Sequence, residues 1–361
     1  MKVAIVYDRV NKIGGAERVL QTLGEIFPKA VLFTSVYDKE KTPWAKKFKV
    51  RTSFLQKIPF LRSNHEFIPY LMPLAFESFD FSGFSLVISV TTEAAKGIIA
   101  STSTHHVCIC LTPTRYLWSG YDEYFKNFFL RLLTMPIVSY LRKWDILASK
   151  KPDKMIAISE NVKRRIKKYY KRESVVIYPP ADRLFTRKIS TAKIPEKDYF
   201  LVVSRLVDYK RVDLAVKACT KLKLPLVVIG EGGEWEKLDA ISGENVVFKG
   251  KVEDSELIAY YKNCKALIFP GEEDFGITMV EANLFGKPVI AYNKGGATEI
   301  IENGKTGLFF DRQTVESVVG ALKKFKKFRY NSSYCKKSAQ KFSEDKFKKN
   351  LVNFLRINKY L

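Results

Sequence analysis

Two glutamates, Glu273 and Glu281, lie in the segment Phe269-Pro270-Gly271-Glu272-Glu273-Asp274-Phe275-Gly276-Ile277-Thr278-Met279-Val280-Glu281-Ala282. The apolar run ahead of Pro270 predicts a buried strand, followed by a turn and then a helix that begins near Gly276. At 3.6 residues per turn, Glu281 falls roughly one and a half turns into that helix. Amides at a helix start, helped by the positive end of the helix dipole, hold a phosphate or polarised hydroxyls. Gly276 lets a ligand approach the backbone closely. Each carboxylate oxygen accepts hydrogen bonds, so the two glutamates suit paired sugar hydroxyls at opposite ends of a long ligand. Taken alone, the pair fits a solvated acidic turn and an unrelated helix glutamate equally well.

A second group is cationic. Val203-Ser204-Arg205-Leu206-Val207-Asp208-Tyr209-Lys210-Arg211 follows an apolar strand run, and Arg205 and Lys210 could flank a diphosphate and neutralise a departing anion. A basic loop in a basic protein is the plainer alternative. A third group, Ile13-Gly14-Gly15-Ala16-Glu17-Arg18, follows the first strand run and opens a helix. Gly14 and Gly15 allow close backbone approach to a phosphate or sugar, or simply make a tight turn. Neither this loop nor Gly230-Glu231-Gly232-Gly233 spells the dinucleotide fingerprint G-x-G-x-x-G.

The elements that must position these residues alternate strand-like and helix-like throughout, which predicts a parallel α/β architecture. Strands are expected at 3–7, 31–35, 86–90, 107–111, 155–158 and 175–178, with helices at 16–27 and 161–170. Pro179-Pro180-Ala181-Asp182 cannot continue a helix or a central strand, and the basic stretch after it, to about Lys197, reads as a linker. A second series follows, with strands at 199–203, 226–229, 246–248, 266–269 and 288–292. Its helices are expected at 212–222, 254–262, 278–285, 315–326 and 344–361. The expected organisation is a first domain over 1–183, a second over 184–343, and a final helix over 344–361 that packs back towards the first. Two doubly wound domains side by side make a cleft beyond the carboxyl ends of their strands.

The spacing of Glu273 and Glu281 resembles the E-x7-E motif of retaining family-4 glycosyltransferases. Gly286-Lys287-Pro288-Val289-Ile290-Ala291 and Gly295-Gly296-Ala297-Thr298-Glu299 resemble the donor domain of the same family. So do His106-Val107-Cys108-Ile109-Cys110-Leu111-Thr112-Pro113-Thr114-Arg115-Tyr116-Leu117-Trp118, Ser159-Glu160-Asn161-Val162 and Tyr178-Pro179-Pro180 for its bacterial polysaccharide and mannosyl transfer members. The resemblance implies the GT-B fold, two Rossmann-like domains facing across a cleft, and transfer of a hexose or deoxyhexose from a nucleoside diphosphate sugar. It implies that Glu281 binds the nucleotide ribose, and that Glu273 with the backbone of Phe275, Gly276 and Ile277 holds the sugar. Arg205 and Lys210 would clamp the diphosphate, Gly14 and Gly15 would close over it, and the loop at Gly250, Lys251 and Val252 would read the base. GDP-mannose is slightly favoured over UDP sugars, the acceptor is a glycan or a lipid-linked glycan, and no cofactor or metal is expected.

One residue departs from the family pattern. Where relatives often carry a histidine before Thr-Pro, this chain has Leu111, and His105 and His106 lie about 16 Å upstream at roughly 3.3 Å per residue. Leu111 either faces the donor sugar, favouring one that lacks a hydroxyl there, or belongs to the core. The two competing functions are a GT-B-shaped binding protein that has lost catalysis and a nicotinamide-dependent oxidoreductase, the latter disfavoured by the missing fingerprint.

The 361 residues carry a net charge of +24, with 46% hydrophobic residues. No zinc-finger, RRM or homeodomain pattern accompanies that charge, which sets nucleic acid aside. Five scattered cysteines read as reduced, buried thiols of a cytoplasmic protein. The opening residues read as a first strand rather than a signal peptide, and no apolar run approaches the roughly 18 residues of a membrane span. Two stretches interleave cations with bulky apolar residues. One is Lys46-Lys47-Phe48-Lys49-Val50-Arg51 with Phe54-Leu55-Gln56-Lys57-Ile58-Pro59-Phe60-Leu61-Arg62. The other is Phe128-Phe129-Leu130-Arg131-Leu132-Leu133 with Tyr140-Leu141-Arg142-Lys143-Trp144. Both suit an anionic membrane surface, so peripheral attachment at the inner face of the cytoplasmic membrane is expected.

Overall fold

The computed structural model describes residues 1–11, 14–58, 69–186 and 192–361. They form two compact units, Met1–Pro179 with Phe347–Leu361, and Pro180–Lys346. The chain passes between them at the consecutive prolines Pro179 and Pro180, whose fixed φ prevents helix or ladder from running through.

The first unit is a seven-stranded parallel sheet in the order β3-β2-β1-β4-β5-β6-β7. Its strands are β1 (Val3–Tyr7), β2 (Val31–Thr34), β3 (Lys49–Thr52), β4 (Leu86–Thr91), β5 (His105–Cys110), β6 (Lys154–Ala157) and β7 (Val175–Val176). Strands β1, β2 and β4 are buried along their whole length, as expected of a sheet covered on both faces. Helices α1 (Gly15–Ile26), α2 (Phe128–Lys150) and α3 (Glu160–Tyr170) belong to this unit. Ser159 caps α3, its hydroxyl accepting from the Val162 amide at 3.0 Å.

The second unit is a six-stranded parallel sheet in the order β10-β9-β8-β11-β12-β13. Its strands are β8 (Phe200–Val203), β9 (Leu226–Ile229), β10 (Val246–Gly250), β11 (Leu267–Phe269), β12 (Val289–Tyr292) and β13 (Gly307–Phe310). The helices used below are α4 (Val212–Leu222), α5 (Asp254–Asn263), α6 (Ile277–Leu284) and α7 (Val315–Phe325). The core between β8, β9 and α4 is built from Phe200, Val202, Leu214, Val216, Leu226 and Val228. Helix α8 (Glu344–Ile357) starts in the second unit and continues into the first, where Phe347, Leu351 and Leu355 are buried.

Several sequence expectations shift. Two edge strands add to those expected: β3, whose Lys49–Thr52 reads in sequence as part of a basic amphiphilic stretch, and β13, a short Gly-Leu-Phe-Phe run. A short helix, Arg183–Thr186, lies inside the segment read as linker, and the Asp182 carboxylate accepts the Glu344 amide at 2.8 Å. The strand expected to end at Leu111 ends at Cys110. Helix α2 escaped because its first turns are apolar over most of their circumference, which leaves only a narrow polar side, at Arg131 and Thr134, to read.

Candidate functional site

In the second sheet the strand order reverses between β8 and β11, and ligands bind beyond the carboxyl ends of strands at such a switch point. The loops leaving these two strands carry Arg205, Lys210 and Glu273. The Lys210 ammonium forms an ion pair with the Glu273 carboxylate, with side chains 14% and 16% exposed. The Arg205 guanidinium is exposed and donates to the Tyr209 hydroxyl at 2.5 Å, and the Tyr209 ring lies 5.2 Å from the Lys210 ammonium. Tyr209 thus ties the two cations together. Gly271 permits the two loops to meet, since a Cβ there would come 2.9 Å from the Lys210 carbonyl oxygen.

The glycines at 230 and 232 hold the Arg205 loop. Both have positive φ, and Cβ atoms there would come 1.8 Å from the Ser204 carbonyl oxygen and 2.2 Å from that of Leu206. The Leu206 amide donates to the Glu231 carbonyl at 2.9 Å, so the two loops run in direct backbone contact. Of the base-reading residues implied by the resemblance, Gly250 ends β10 at φ +63° and its carbonyl accepts from the Gly230 amide at 2.8 Å. Lys251 and Val252 follow it, on the loop beyond the edge strand.

Gly276 caps α6 at φ +101°, a conformation open to glycine and costly for a side chain, and it brings no side-chain acceptor to the helix start. Phe275 is buried edge-on against Phe342 at 5.3 Å, which leaves its backbone rather than its ring for a ligand. The turn is cradled by the loop after β12. The Gly296 amide donates to the Glu273 carbonyl at 2.8 Å, and Cβ atoms at Gly295 and Gly296 would come 2.3 Å from the Glu273 oxygen and 2.0 Å from the Phe275 oxygen. Gly296 has an ordinary helical φ of −62°, so its constraint is steric alone. Gly296→Ala should therefore destabilise the second unit by about 3 kcal/mol, the upper range for overpacking. Thermal melting should show a drop of several degrees, and an unchanged transition would refute this packing account.

Glu281 follows Gly276 along α6 but is 1% exposed, and the Tyr261 hydroxyl donates to its carboxylate at 2.9 Å. Tyr261, on α5, is itself buried and stacks on Phe285 with ring centroids 5.5 Å apart. The structure therefore gathers Arg205, Lys210, Glu273, Gly276 and Ile277 around one strand-end loop cluster, while Glu281 lies below the surface with a tyrosine partner. Sequence reading gave no role to Tyr261, because nothing local links it to a carboxylate twenty residues on.

The first sheet treats its switch point differently. Asp8, directly after β1, is buried and its carboxylate accepts from the amides of Thr92, Glu93, Ala94 and Ala95 at 2.6–3.0 Å. The amides that follow β4 are thus satisfied by the chain's own anion, whereas Gly276 at the start of α6 brings no side chain to cap it. Gly14 and Gly15 open α1 and are exposed, Gly14 in extended conformation; Ile13 lies outside the described residues. Arg9 pairs with Glu93, which also accepts from the Tyr116 hydroxyl at 2.7 Å. Leu111 is 7% exposed just past β5, its amide donating to the Thr91 carbonyl at 2.9 Å. His106 is core: its Nε2 lies 2.8 Å from the Ser89 hydroxyl, and burial drives its pKa down to about 3, so it stays neutral. The five cysteines are buried thiols outside any disulfide, and burial pushes Cys108, Cys219 and Cys264 up to about 12.

Residues 185–344 match the family described as glycosyl transferases group 1. The chain is 32% identical over 161 residues to a GDP-mannose-dependent alpha-(1-6)-phosphatidylinositol monomannoside mannosyltransferase of Mycobacterium tuberculosis, covering 40% of this chain and 41% of that protein. It is 28% identical over 156 residues to the O-antigen chain mannosyltransferase C of Escherichia coli, covering 41% and 42%. The matched segment spans less than half the length of these relatives. Across the whole fold it superimposes on the lipopolysaccharide outer core galactosyltransferase WaaB, with a TM-score of 0.68, 21% identity and coverage of 99% and 100%. It likewise superimposes on Anabaena Alr3699/HepE in complex with UDP-glucose, with a TM-score of 0.72, 18% identity and coverage of 99% and 100%. The family match thus covers residues 185–344 of the second unit, and the fold of the whole length is the GT-B fold of these glycosyltransferases.

Proposed function

We propose that this protein moves a hexose or 6-deoxyhexose from a nucleoside diphosphate sugar, GDP-mannose first among the candidates, to a glycan or lipid-linked acceptor in cell-surface polysaccharide synthesis, with retention at the anomeric carbon. The observation that carries this reading is the Lys210–Glu273 pair beside Arg205 at the switch point of the second sheet. When the bond between the anomeric carbon and the diphosphate breaks, its electron pair goes to the phosphate oxygen, and Arg205 and Lys210 neutralise the charge that grows there. The acceptor oxygen attacks from the same face, and its proton passes to the departing phosphate oxygen, so atoms and charge balance. Glu273 exchanges its lysine partner for sugar hydroxyls, aided by the backbone of Phe275, Gly276 and Ile277. Glu281 takes the ribose, Gly250, Lys251 and Val252 the base, and Gly14 and Gly15 the phosphates. Relatives named as mannosyltransferases support the donor choice. Among the described residues no helix is long and apolar enough to cross a membrane, and we place the work at the inner face of the cytoplasmic membrane on the strength of the lipid-linked acceptor.

A thermal-shift panel of GDP, GDP-mannose, UDP, UDP-glucose and a GDP-6-deoxyhexose tests the donor, because a ligand that binds the native state raises its stability. The expected result is stabilisation by one nucleotide class, followed by a transfer product whose anomeric configuration by NMR matches the donor. An inverted product would overturn the mechanism. The same panel addresses Leu111. A hydroxyl facing leucine loses water without gaining a partner, which costs on the order of 1–3 kcal/mol. Leu111→His should therefore move preference from the 6-deoxyhexose donor to the hexose by about tenfold to a hundredfold. No movement in either protein would place Leu111 in the core alone.

A further inference from the structure

Of the two basic and apolar stretches, the fold uses the first for itself. Phe48 and Leu55 are buried, Lys49–Thr52 is strand β3, and Arg51 lies 5.6 Å from the Phe33 ring; Pro59, Phe60, Leu61 and Arg62 lie outside the described residues. The second stretch behaves otherwise. Helix α2 is anchored only from Val138 onward, where Val138 and Leu141 pack on Leu117, Arg142 Nε donates to the Leu117 carbonyl at 2.7 Å, and Trp144 covers Gly97. Before that point every residue from 128 to 137 is exposed except Thr134, which is half-buried. Phe128 is 70% exposed and Phe129 and Leu133 are each 78% exposed, and Leu130, Leu132, Met135 and Ile137 are also open to solvent.

These residues do not share a stripe. At about 100° per residue Phe128, Phe129, Leu130, Leu132, Leu133, Met135 and Ile137 cover an arc of about 220°, and Arg131 and Thr134 occupy the remaining side. A protein groove covers one face of a helix. An apolar arc of about 220° is wider than such a groove covers and calls for surroundings that close around most of the helix. Charge names which one. Arg131, the single cation of the tip, folds back to Asp122 at 3.1 Å and over the Tyr121 ring at 4.8 Å, while Arg142 lies over the same ring at 4.5 Å. Lys126 and Lys143, both exposed, flank the tip in sequence, with Tyr124 and Tyr140 as exposed aromatics. Cations and tyrosines at the base of an apolar projection match the headgroup level of an anionic bilayer.

We propose that residues 128–137 lie in the interface of an anionic membrane, the apolar arc entering the acyl region and Lys126, Arg131, Arg142 and Lys143 at the headgroups. The proposal deepens the membrane placement given above and uses no residue of the donor site, so the nucleotide thermal shift reports on that site separately.

The five native cysteines are buried, so a Leu133→Cys variant of the full chain accepts a polarity-sensitive dye selectively. With vesicles of phosphatidylglycerol and phosphatidylcholine, the dye should shift to the blue and be quenched by lipids brominated in the acyl chain. The unlabelled F129D/L133D variant should lose vesicle partitioning by about a hundredfold, while its melting temperature and nucleotide-induced stabilisation stay as in the wild type. A dye that stays in water, or wild-type partitioning by F129D/L133D, would overturn the proposal. So would a blue shift without lipid that tracks dimer formation in sedimentation, which would assign the tip to a second copy of the chain.

Discussion

Alanine at Arg205 or at Lys210 is expected to slow sugar transfer by about a hundredfold to a thousandfold, the range for removing one preorganised stabiliser of developing charge. The reason is differential: charge on the diphosphate grows as the bond to the anomeric carbon breaks, so each cation does more for the transition state than for the bound donor. The loss should therefore appear in single-turnover rates at saturating donor, with nucleotide affinity changed far less. The two positions should differ in one respect. Lys210 also pairs with Glu273, so Lys210→Ala removes that partner of the carboxylate whereas Arg205→Ala leaves the pair in place. A Lys210→Ala, Glu273→Gln double variant should consequently lose less than the two single losses combined, as contacting residues do. Wild-type rates in both single variants would remove the diphosphate clamp from this account.

The second large effect belongs to Glu281. Glu281→Ala should weaken nucleotide binding by about tenfold to a hundredfold, the equivalent of one or two charge-assisted hydrogen bonds to ribose hydroxyls. Binding of a 2',3'-dideoxynucleotide should be nearly the same in both proteins, because the lost contact is absent from it. Glu273→Ala should do the reverse, depressing transfer with nucleotide affinity intact. Tyr261→Phe is expected to fall between wild type and Glu281→Ala, since it removes the hydroxyl that holds the carboxylate at 2.9 Å but leaves the ring stacked on Phe285. Isothermal titration with the ribose and dideoxy forms separates these cases. An equal loss of affinity for both forms in Glu281→Ala would show a structural role for this 1% exposed carboxylate rather than a ribose contact.

What was legible in the sequence was whatever depends on near neighbours along the chain. The buried strands are continuous apolar runs, so β1, β9 and β12 could be placed to within a residue. Helices α4, α5 and α7 have an apolar stripe against a polar face, and their limits followed from that period. Glu273, Gly276 and Glu281 lie on one short strand, turn and helix, so their order was readable as well. Strand β3 was missed because it alternates charged and apolar residues and is half solvated, so its composition resembles a loop; β13 was missed although Leu308, Phe309 and Phe310 form an apolar run, because that run is short.

Only the tertiary structure brought Lys210 to Glu273 across 63 residues and Tyr261 to Glu281 across 20. Neither pairing leaves a local trace, because strand order decides which loops leave the sheet side by side. The same holds for the glycines. Gly230 and Gly296 look like ordinary turn residues until the backbone oxygens of Ser204 and Phe275 are found where their Cβ atoms would stand. Asp8 is one acidic residue after a strand in the sequence; in the fold its carboxylate accepts the amides that follow β4, while the cap position of α6 is a glycine with no side chain. Exposure, too, belongs to the fold. Phe48 and Phe128 sit in stretches of similar composition, yet one is buried beneath the first sheet's edge and the other stands in solvent, because packing depends on what the rest of the chain brings against a side chain rather than on the side chain alone.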